Sequence, residues 1–419
     1  MWIVLAVVAT ALVVLLALNL TSGEKKIEHQ IETRYGVGDA QFARTMGVLL
    51  GPTIVRGNEV VALQNGAEIF PAMLEAIRDA KRTITFETFI YWSGVIGKTF
   101  AEALSERARE GVRVHVLLDW VGAGKMEDTL LTQMKNAGVE VLKYHPLRWY
   151  NLGRLNNRTH RKLLVVDGRV AFTGGVGIAD EWLGNAEDPD HWRDSHYRVT
   201  GPVVAQMQAA FMDNWIETQS EVLHGEEYFP AIDSSGGHLA QMFTSSTGDG
   251  GESVRLMYLL SIASAQRSVR ISASYFVPDD LSIETFVAAR KRGVTVDIIV
   301  PGEHIDAKVV RKASRGRWGQ LLEAGVRIYE FQPTMYHCKV MIVDDLWVSV
   351  GSTNFDNRSF SLNDEANLNI LDADFAREQA ETFHADLARS REITFDMWKR
   401  RPRSEKIKEW LAGLLRSQL

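Results

Sequence analysis

Cysteine is nearly absent. The 419 residues hold one, Cys338, which excludes an internal disulfide framework and suits a cytosol-facing body. Positive charge is not in excess either. Lys and Arg number 47 against 53 Asp and Glu, a net charge of -6, so no overall basic field invites nucleic acid. Only a local basic patch would serve a nuclease. Metal-ligand spacing is missing too. His191, His196, His304 and His384 form no such pattern, and neither C-x2-C nor H-E-x2-H occurs, so no metal is expected. Gly36-Val37-Gly38 and the Gly174 to Gly177 turn lack the rest of a dinucleotide or phosphate-loop fingerprint. What remains is an ordinary globular composition, with room for two domains or one large pseudo-symmetric one.

The N-terminus carries the targeting signal. Trp2 to Leu20 is apolar except for Thr10 and Asn19. At about 1.5 Å per residue it can just cross a hydrocarbon core of about 30 Å. No Lys or Arg precedes the run and no clean A-x-A site follows it, so an anchor is expected rather than a cleaved signal. Lys25 and Lys26 follow directly, which by the positive-inside rule puts the body in the cytoplasm, at the inner membrane in a single pass.

After a part-helical connector, Thr21 to Arg56, the chain reads as an α/β unit. Strands are expected at Glu59 to Leu63, Thr83 to Trp92, Val112 to Leu118 and Val139 to Tyr144. Helices are expected at Gly66 to Ala80, Thr99 to Glu110 and Leu130 to Asn136. The order then repeats. Helices at Gly251 to Ala265 and Ser282 to Lys291 alternate with strands at Ser268 to Phe276, Val294 to Val300 and Val326 to Phe331. Local phrases match as well, Arg109-Glu110-Gly111-Val112 against Lys291-Arg292-Gly293-Val294. The two similar α/β halves meet at a Gly, Ser and Thr-rich seam near Tyr228 to Gly251.

One phrase occurs in both halves. His160, Lys162 and Asp167 repeat as His337, Lys339 and Asp344, each time as H-x-K-x4-D with apolar linking residues. Each is followed by a small-residue turn, Gly174-Gly175-Val176-Gly177 and Gly351-Ser352-Thr353-Asn354. On a strand, residues two apart share a face. Two such faces brought together set two imidazoles and two ammonium groups around one point, which suits a phosphodiester. The lysines would neutralise non-bridging oxygens, one histidine would attack phosphorus, and the other would protonate the leaving alcohol. Asp167 and Asp344 fall on the opposite face and are expected to be structural. Overlaying the repeats pairs Asp194 with Glu365, each able to accept from a histidine Nδ1-H and fix its tautomer.

With these residues in hand, the chain resembles the phospholipase D superfamily, whose HKD motif is this phrase, and within it the bacterial cardiolipin synthases. Phe86-Glu87-Thr88-Phe89-Ile90-Tyr91, Trp192-Arg193-Asp194, Gly201-Pro202-Val203-Val204 and Gly351 to Ser359 add to the likeness. The resemblance implies a phospholipase D-type body with pseudo-two-fold symmetry. It also implies a two-step reaction through a covalent phosphohistidine, without metal or other cofactor. The nucleophile would be His160 and the general acid His337, with Lys162 and Lys339 on the phosphoryl oxygens and Ser352 and Asn354 as substrate contacts. The first half departs, with Gly175 and Gly177 where the second has Ser352 and Asn354. The implied function is transfer of a phosphatidyl group between two phosphatidylglycerols to make cardiolipin. The rivals are a hydrolase acting on lipid or nucleic acid, and a degenerate lipid-binding scaffold.

Expected divisions are an anchor at 1–20, a connector at 21–57, halves at 58–230 and 231–396, and a basic amphipathic helix at 397–419. In that last segment Ile407, Trp410, Leu411, Leu414 and Leu415 form one stripe beside Lys399, Arg400, Arg401, Arg403, Lys406 and Lys408. It reads either as an interfacial helix drawn to anionic lipid or as a helix docked on the body. The stretch between Tyr144 and His160, with Arg148, Trp149, Tyr150, Leu152, Arg154 and Arg158, is a basic-aromatic insert that the second half lacks. It suits a membrane interface or lipid headgroup.

Overall fold

The computed structural model describes residues 2–20, 27–147, 156–246 and 252–418. Lys25, Lys26, most of the basic-aromatic insert and the Thr247 to Gly251 end of the seam lie outside the described residues. The N-terminal run forms helix α1 (Trp2–Leu20). Its 19 residues extend about 28 Å, just short of a hydrocarbon core of about 30 Å. Among the described residues no helix is long and apolar enough to cross a membrane. Helix α2 (Ala40–Leu50) follows, started by the Asp39 carboxylate accepting from Gln41 N at 2.7 Å.

The first half comprises β1 (Val55–Gln64), α3 (Asn65–Asp79), β2 (Thr83–Thr88), α4 (Val95–Arg109), β3 (Arg113–Asp119), α5 (Asp128–Asn136), β4 (Glu140–Tyr144), the short β5 (Arg158–Thr159), β6 (Leu163–Val166), β7 (Val170–Gly174), β8 (Ser195–Thr200) and α6 (Val203–Gln219). The second comprises β9 (His238–Ser245), α7 (Ser253–Ala263), β10 (Ser268–Ala273), α8 (Asp280–Lys291), β11 (Thr295–Pro301), α9 (Lys308–Glu323), β12 (Arg327–Phe331), β13 (Lys339–Val343), β14 (Trp347–Gly351), α10 (Asn357–Ser361), β15 (Asn363–Leu371), α11 (Ala373–Ala388) and β16 (Ser390–Ile393). Two short helices close the chain, α12 (Phe395–Lys399) and α13 (Arg403–Gly413).

The repeat seen in the sequence is a repeat of topology. One half runs β1-β8-β7-β6-β2-β3-β4 and the other β9-β15-β14-β13-β10-β11-β12, with β16 added at the far edge. In each, β-branched central strands pair in parallel through helical crossovers, β2 with β3 and β10 with β11. The seam holds more than a linker. β9 lies inside it and pairs with β1 on one side and β15 on the other, so the two half-sheets form one continuous sheet. Its polar ends, His238 and Ser245, kept it from reading as a strand beside so many turn residues.

The core has three large parts and one small one. Helices α6 and α11 share a central core with the inner faces of both halves, where Phe211, Trp215 and Phe375 meet Val165, Ile342 and Leu368. Helices α3, α4 and α5 cover the outer face of the first half-sheet. Helices α7, α8 and α9 cover that of the second. The connector crosses over to join this last group: Phe42 of α2 packs edge-on to Trp347 at 5.0 Å.

Candidate active site

The two motifs meet where β6 and β13 begin. Leu163 to Val166 and Lys339 to Val343 are fully buried central strands. His160, Lys162 and His337 precede them in extended chain, outside the strands; Lys339 is the first strand residue. The alternation of faces nevertheless holds. The residue between each pair turns the other way: Arg161 bonds Ala210 O and Asp213 in the central core. Cys338 lies 3.7 Å from Ser195 Oγ, its thiol pushed up to about 12 by burial.

Each histidine segment is hydrogen-bonded to the opposite half. β5, just before His160, pairs in parallel with the start of β15, and His160 N donates to Asp364 O at 2.9 Å. In the other direction Arg193 bridges Tyr336, and His337 N donates to Arg193 O at 2.7 Å. These ladders deliver the next residue on each strand, Glu365 or Asp194, to the histidine of the other half. Nδ1 of His160 lies 3.0 Å from both carboxylate oxygens of Glu365. Nδ1 of His337 lies 2.7 Å from Asp194 Oδ2. The pairing is therefore crossed: each acid serves the motif it does not belong to.

The carboxylates are completely buried and held by different groups. Glu365 accepts from Ser352 Oγ at 2.5 Å, Ser359 Oγ at 2.7 Å and Asn363 Nδ2 at 3.3 Å. Asp194 accepts from Trp182 Nε1 at 2.9 Å and Ser195 N at 2.8 Å. This accounts for the glycine turn of the first half. A Cβ on Gly175 would stand 2.2 Å from Asp194 Oδ1, and one on Gly177 2.8 Å from Ile90 Cβ. The shorter aspartate and the indole fill the space that Ser352 takes in the second half. Asn354 is likewise engaged with protein, its Oδ1 accepting from Ser274 Oγ at 2.5 Å. Ser352 and Asn354, expected as substrate contacts, thus support Glu365 and the lysine network.

The lysines are folded back over their own histidines. Lys162 Nζ donates to His160 O at 2.7 Å, and Lys339 Nζ to His337 O and Ser274 Oγ, both at 2.7 Å. The ammonium of Lys339 also lies against the His337 ring, 3.1 Å from Nδ1 and 3.2 Å from Nε2. Aromatic rings wall the imidazoles, Phe89 at 5.2 Å from His160, Trp182 and Trp192 at 5.2 and 5.5 Å from His337.

Electrostatics sets the resting protonation. Burial pushes His160 down to about 4, a fall that Glu365 opposes and Lys162 reinforces. His337 is also lowered, by burial first and Lys339 second, against the pull of Asp194. Burial alone would raise both carboxylates, but the facing histidines and lysines outweigh it and hold both below the usual range. Both are ionised, so the Nδ1 atoms carry the protons and each Nε2 presents a lone pair. Lys162 is pushed down to about 7 by burial and then by Lys339. The charge of Lys339 thus acts on Lys162 of the other half, and that of Lys162 on His337.

Asp167 and Asp344 stand away from this chemistry. Each sits in a hairpin with positive φ, 52° and 53°, a region aspartate tolerates. Asp167 accepts from the backbone N–H groups of Lys81, Arg82 and Thr83, and Asp344 from those of Gln266, Arg267 and Ser268. They tie the start of β2 or β10 to the end of the motif strand. Arg158 is buried 3.7 Å from Asp119. Trp182 and Ser274 are site residues that the sequence reading does not single out, and Ser359 is given no role of its own there. Ser359 lies within a stretch that had been singled out, whereas Trp182 carries no local signal.

A family model described as cardiolipin synthase, phospholipase D-like domain, matches residues 73–215 and 258–387. The cardiolipin synthase 2 of Bacillus anthracis is 34% identical over 360 residues, covering 85% of this chain and 70% of that protein. The cardiolipin synthase of Geobacillus sp. (strain WCH70) is 35% identical over 362 residues, covering 85% and 72%. The crystal structure of phosphatidylserine synthase from Haemophilus influenzae Rd KW20 has the same fold, with a TM-score of 0.71 at 15% identity over 90% of this chain and all of that one. The chain belongs to the phospholipase D-like cardiolipin synthase family.

Proposed function

We propose that the protein is a membrane-bound phosphatidyl transferase that makes cardiolipin from two molecules of phosphatidylglycerol. The observation that carries this reading is the crossed pair of carboxylate-oriented histidines with two lysines between them, in a chain of this family. In the first step His160 Nε2 gives its lone pair to phosphorus. The bond from phosphorus to the glycerol headgroup oxygen breaks, and His337 Nε2, protonated in the substrate complex, gives that oxygen its proton. A bound phosphodiester anion favours this protonated form of His337. In the second step the hydroxyl of another phosphatidylglycerol attacks phosphorus, its proton passes to His337, and the P–N bond breaks. Glu365 and Asp194 steady the imidazolium that each histidine becomes. Lys162 and Lys339 take the non-bridging oxygens.

Helix α1, although short of the full core, would anchor the body to the inner membrane in a single pass where the bilayer thins to match it, with the body in the cytoplasm. This keeps the site at the surface where both substrates reside. The test is to incubate the full chain with phosphatidylglycerol vesicles and follow lipid products and released glycerol. Cardiolipin with equimolar glycerol is expected. Phosphatidic acid alone would make the protein a hydrolase, and no product would leave a lipid-binding scaffold.

A further inference from the structure

The C-terminal segment is both docked and unpartnered. Glu409 and Ala412 are the buried residues of α13, and they face α9. Glu409 Oε2 accepts from Arg401 Nε at 2.7 Å, and its other oxygen lies 3.5 Å from Arg315 Nε. Ala412 joins Val310 and Ala313 in a small core. The opposite face carries Ile407, Trp410, Leu411, Leu414 and Leu415, each more than half exposed, at 59, 65, 51, 64 and 52%. A helix that already has its packing partner has no structural use for a second apolar stripe in water.

The charges around it are one-sided. The chain as a whole is acidic, yet residues 399–419 hold seven Lys and Arg against two Glu. Lys399, Arg400, Arg403, Lys406, Lys408 and Arg416 are exposed. Between α9 and α13 opens a cleft of ≈ 620 Å³ lined by Arg317, Arg401, Lys406, Arg416, Trp410 and Leu414 among others. Glu409 lines it too but is paired with Arg401, and Arg317 is paired with Asp280, so Lys406 and Arg416 are the cations offered to an anionic head, with Trp410 and Leu414 beside them for the acyl root of a phospholipid.

The end of this segment is fastened to the rim of the active site. Asn357 Nδ2 donates to Arg416 O at 3.1 Å, and Arg358 Nη1 to Gln418 O at 3.4 Å. Across the centre, Asn156 Nδ2 donates to Gln418 Oε1 at 2.7 Å. Asn357 and Arg358 directly precede Ser359, which holds Glu365, and Asn156 lies four residues before His160. The stripe is thus tied to both half-sites.

We propose that α13 and the cleft beneath it form a docking site for an anionic lipid bilayer, distinct from the catalytic centre. Headgroup phosphate enters the cationic cleft, and Trp410, Leu411 and Leu414 enter the acyl boundary. This sets the rim of the active site at headgroup depth. The inference rests on the lipid-substrate reading only for its purpose; docking itself is read without turnover.

The test uses the full chain with Leu414→Cys, labelled with a polarity-sensitive fluorophore. Labelling is selective because Cys338 is 1% exposed. The protein is reconstituted into phosphatidylcholine vesicles and into equimolar phosphatidylglycerol and phosphatidylcholine vesicles, so that any N-terminal anchoring is common to both. Docking predicts a blue shift, and quenching by brominated acyl chains, on the anionic vesicles alone. Each of Lys406→Glu, Lys408→Glu and Arg416→Glu should weaken the anionic preference about fivefold or more. The triple variant should lose synthesis on vesicles while keeping it in detergent mixed micelles. A label equally wet on both vesicles overturns the proposal. So does the same shift with inorganic phosphate alone, or an equal loss of synthesis on vesicles and in micelles.

Discussion

The two half-sites reach the same geometry by different chemistry. In one, a glutamate is gripped by two hydroxyls and an amide from its own half. In the other, a shorter aspartate is gripped by an indole and a backbone N–H, with glycine where the hydroxyl would be. Each reaches across to the other half's histidine. The repeat preserves the position of the carboxylate oxygens, and the supporting residues adapt to whichever acid is present. Symmetry of position therefore does not mean symmetry of role.

The sharpest break of this comparison is at the histidines. His160→Ala should abolish both turnover and the acid-trapped phosphoenzyme, a loss of at least about 10⁴-fold. His337→Ala should lose as much with phosphatidylglycerol yet still form the phosphoenzyme from a substrate with an acidic leaving group. Labelled-lipid trapping reads both, and a trapped adduct in His160→Ala would reverse the two roles.

Next come the carboxylates. Asp194→Asn and Glu365→Gln should each lower kcat about 10³-fold, since the amide can impose the wrong tautomer. The glycine turn gives a directional test. Gly175→Ser imports the second half's residue and should push Asp194 out of place, lowering kcat about 100-fold, whereas Ser352→Gly leaves Glu365 two other side-chain donors and should lower it only about tenfold.

A smaller effect separates the lysines by pH. Lys162, lowered to about 7, loses its charge as pH rises through that value. In the free enzyme kcat/KM should then fall on two groups, about tenfold per unit once the general acid His337, itself lowered, loses its proton, and about a hundredfold per unit above about 7, far below the ordinary lysine range. His160, lowered to about 4, keeps its lone pair until pH falls through that value, so its acid limb lies well below 6.5. Lys162→Arg should lower the rate and remove the steeper part above about 7, leaving the shallower limb of His337; an unchanged steep part would assign it to another group.

The smallest catalytic effect is expected at the motif aspartates. Asp167→Ala and Asp344→Ala each orphan three backbone N–H groups. They should cost about 2 kcal/mol and about 3 kcal/mol of stability, more for the buried Asp344, with kcat of the folded protein nearly unchanged. Thermal unfolding beside active-site-normalised rates measures the split.

Much of this was legible in the chain. The duplicated phrase named both His/Lys pairs, and overlaying the repeats found Asp194 and Glu365. The crossing was not legible. It depends on pairings 205 and 143 residues apart, set by β5 against β15 and by Arg193 against Tyr336, which no local pattern encodes. Trp182 lies only 12 residues from its partner Asp194, but nothing in the chain between them marks an indole as the donor. Ser352 and Asn354 were visible as special, but which atoms they touch depends on Glu365 and Ser274 folding against them.

The strand β9 has a mechanical consequence. Because it joins β1 to β15, the spacing between the imidazoles is a dimension of one sheet and not of a joint between jaws. In the proposed reaction His337 Nε2 meets a departing alcohol and then an arriving one while His160 Nε2 holds the phosphorus, at one spacing throughout. In that reaction the alternation between steps would fall to the proton and to the lipids, which exchange past a frame held by one sheet.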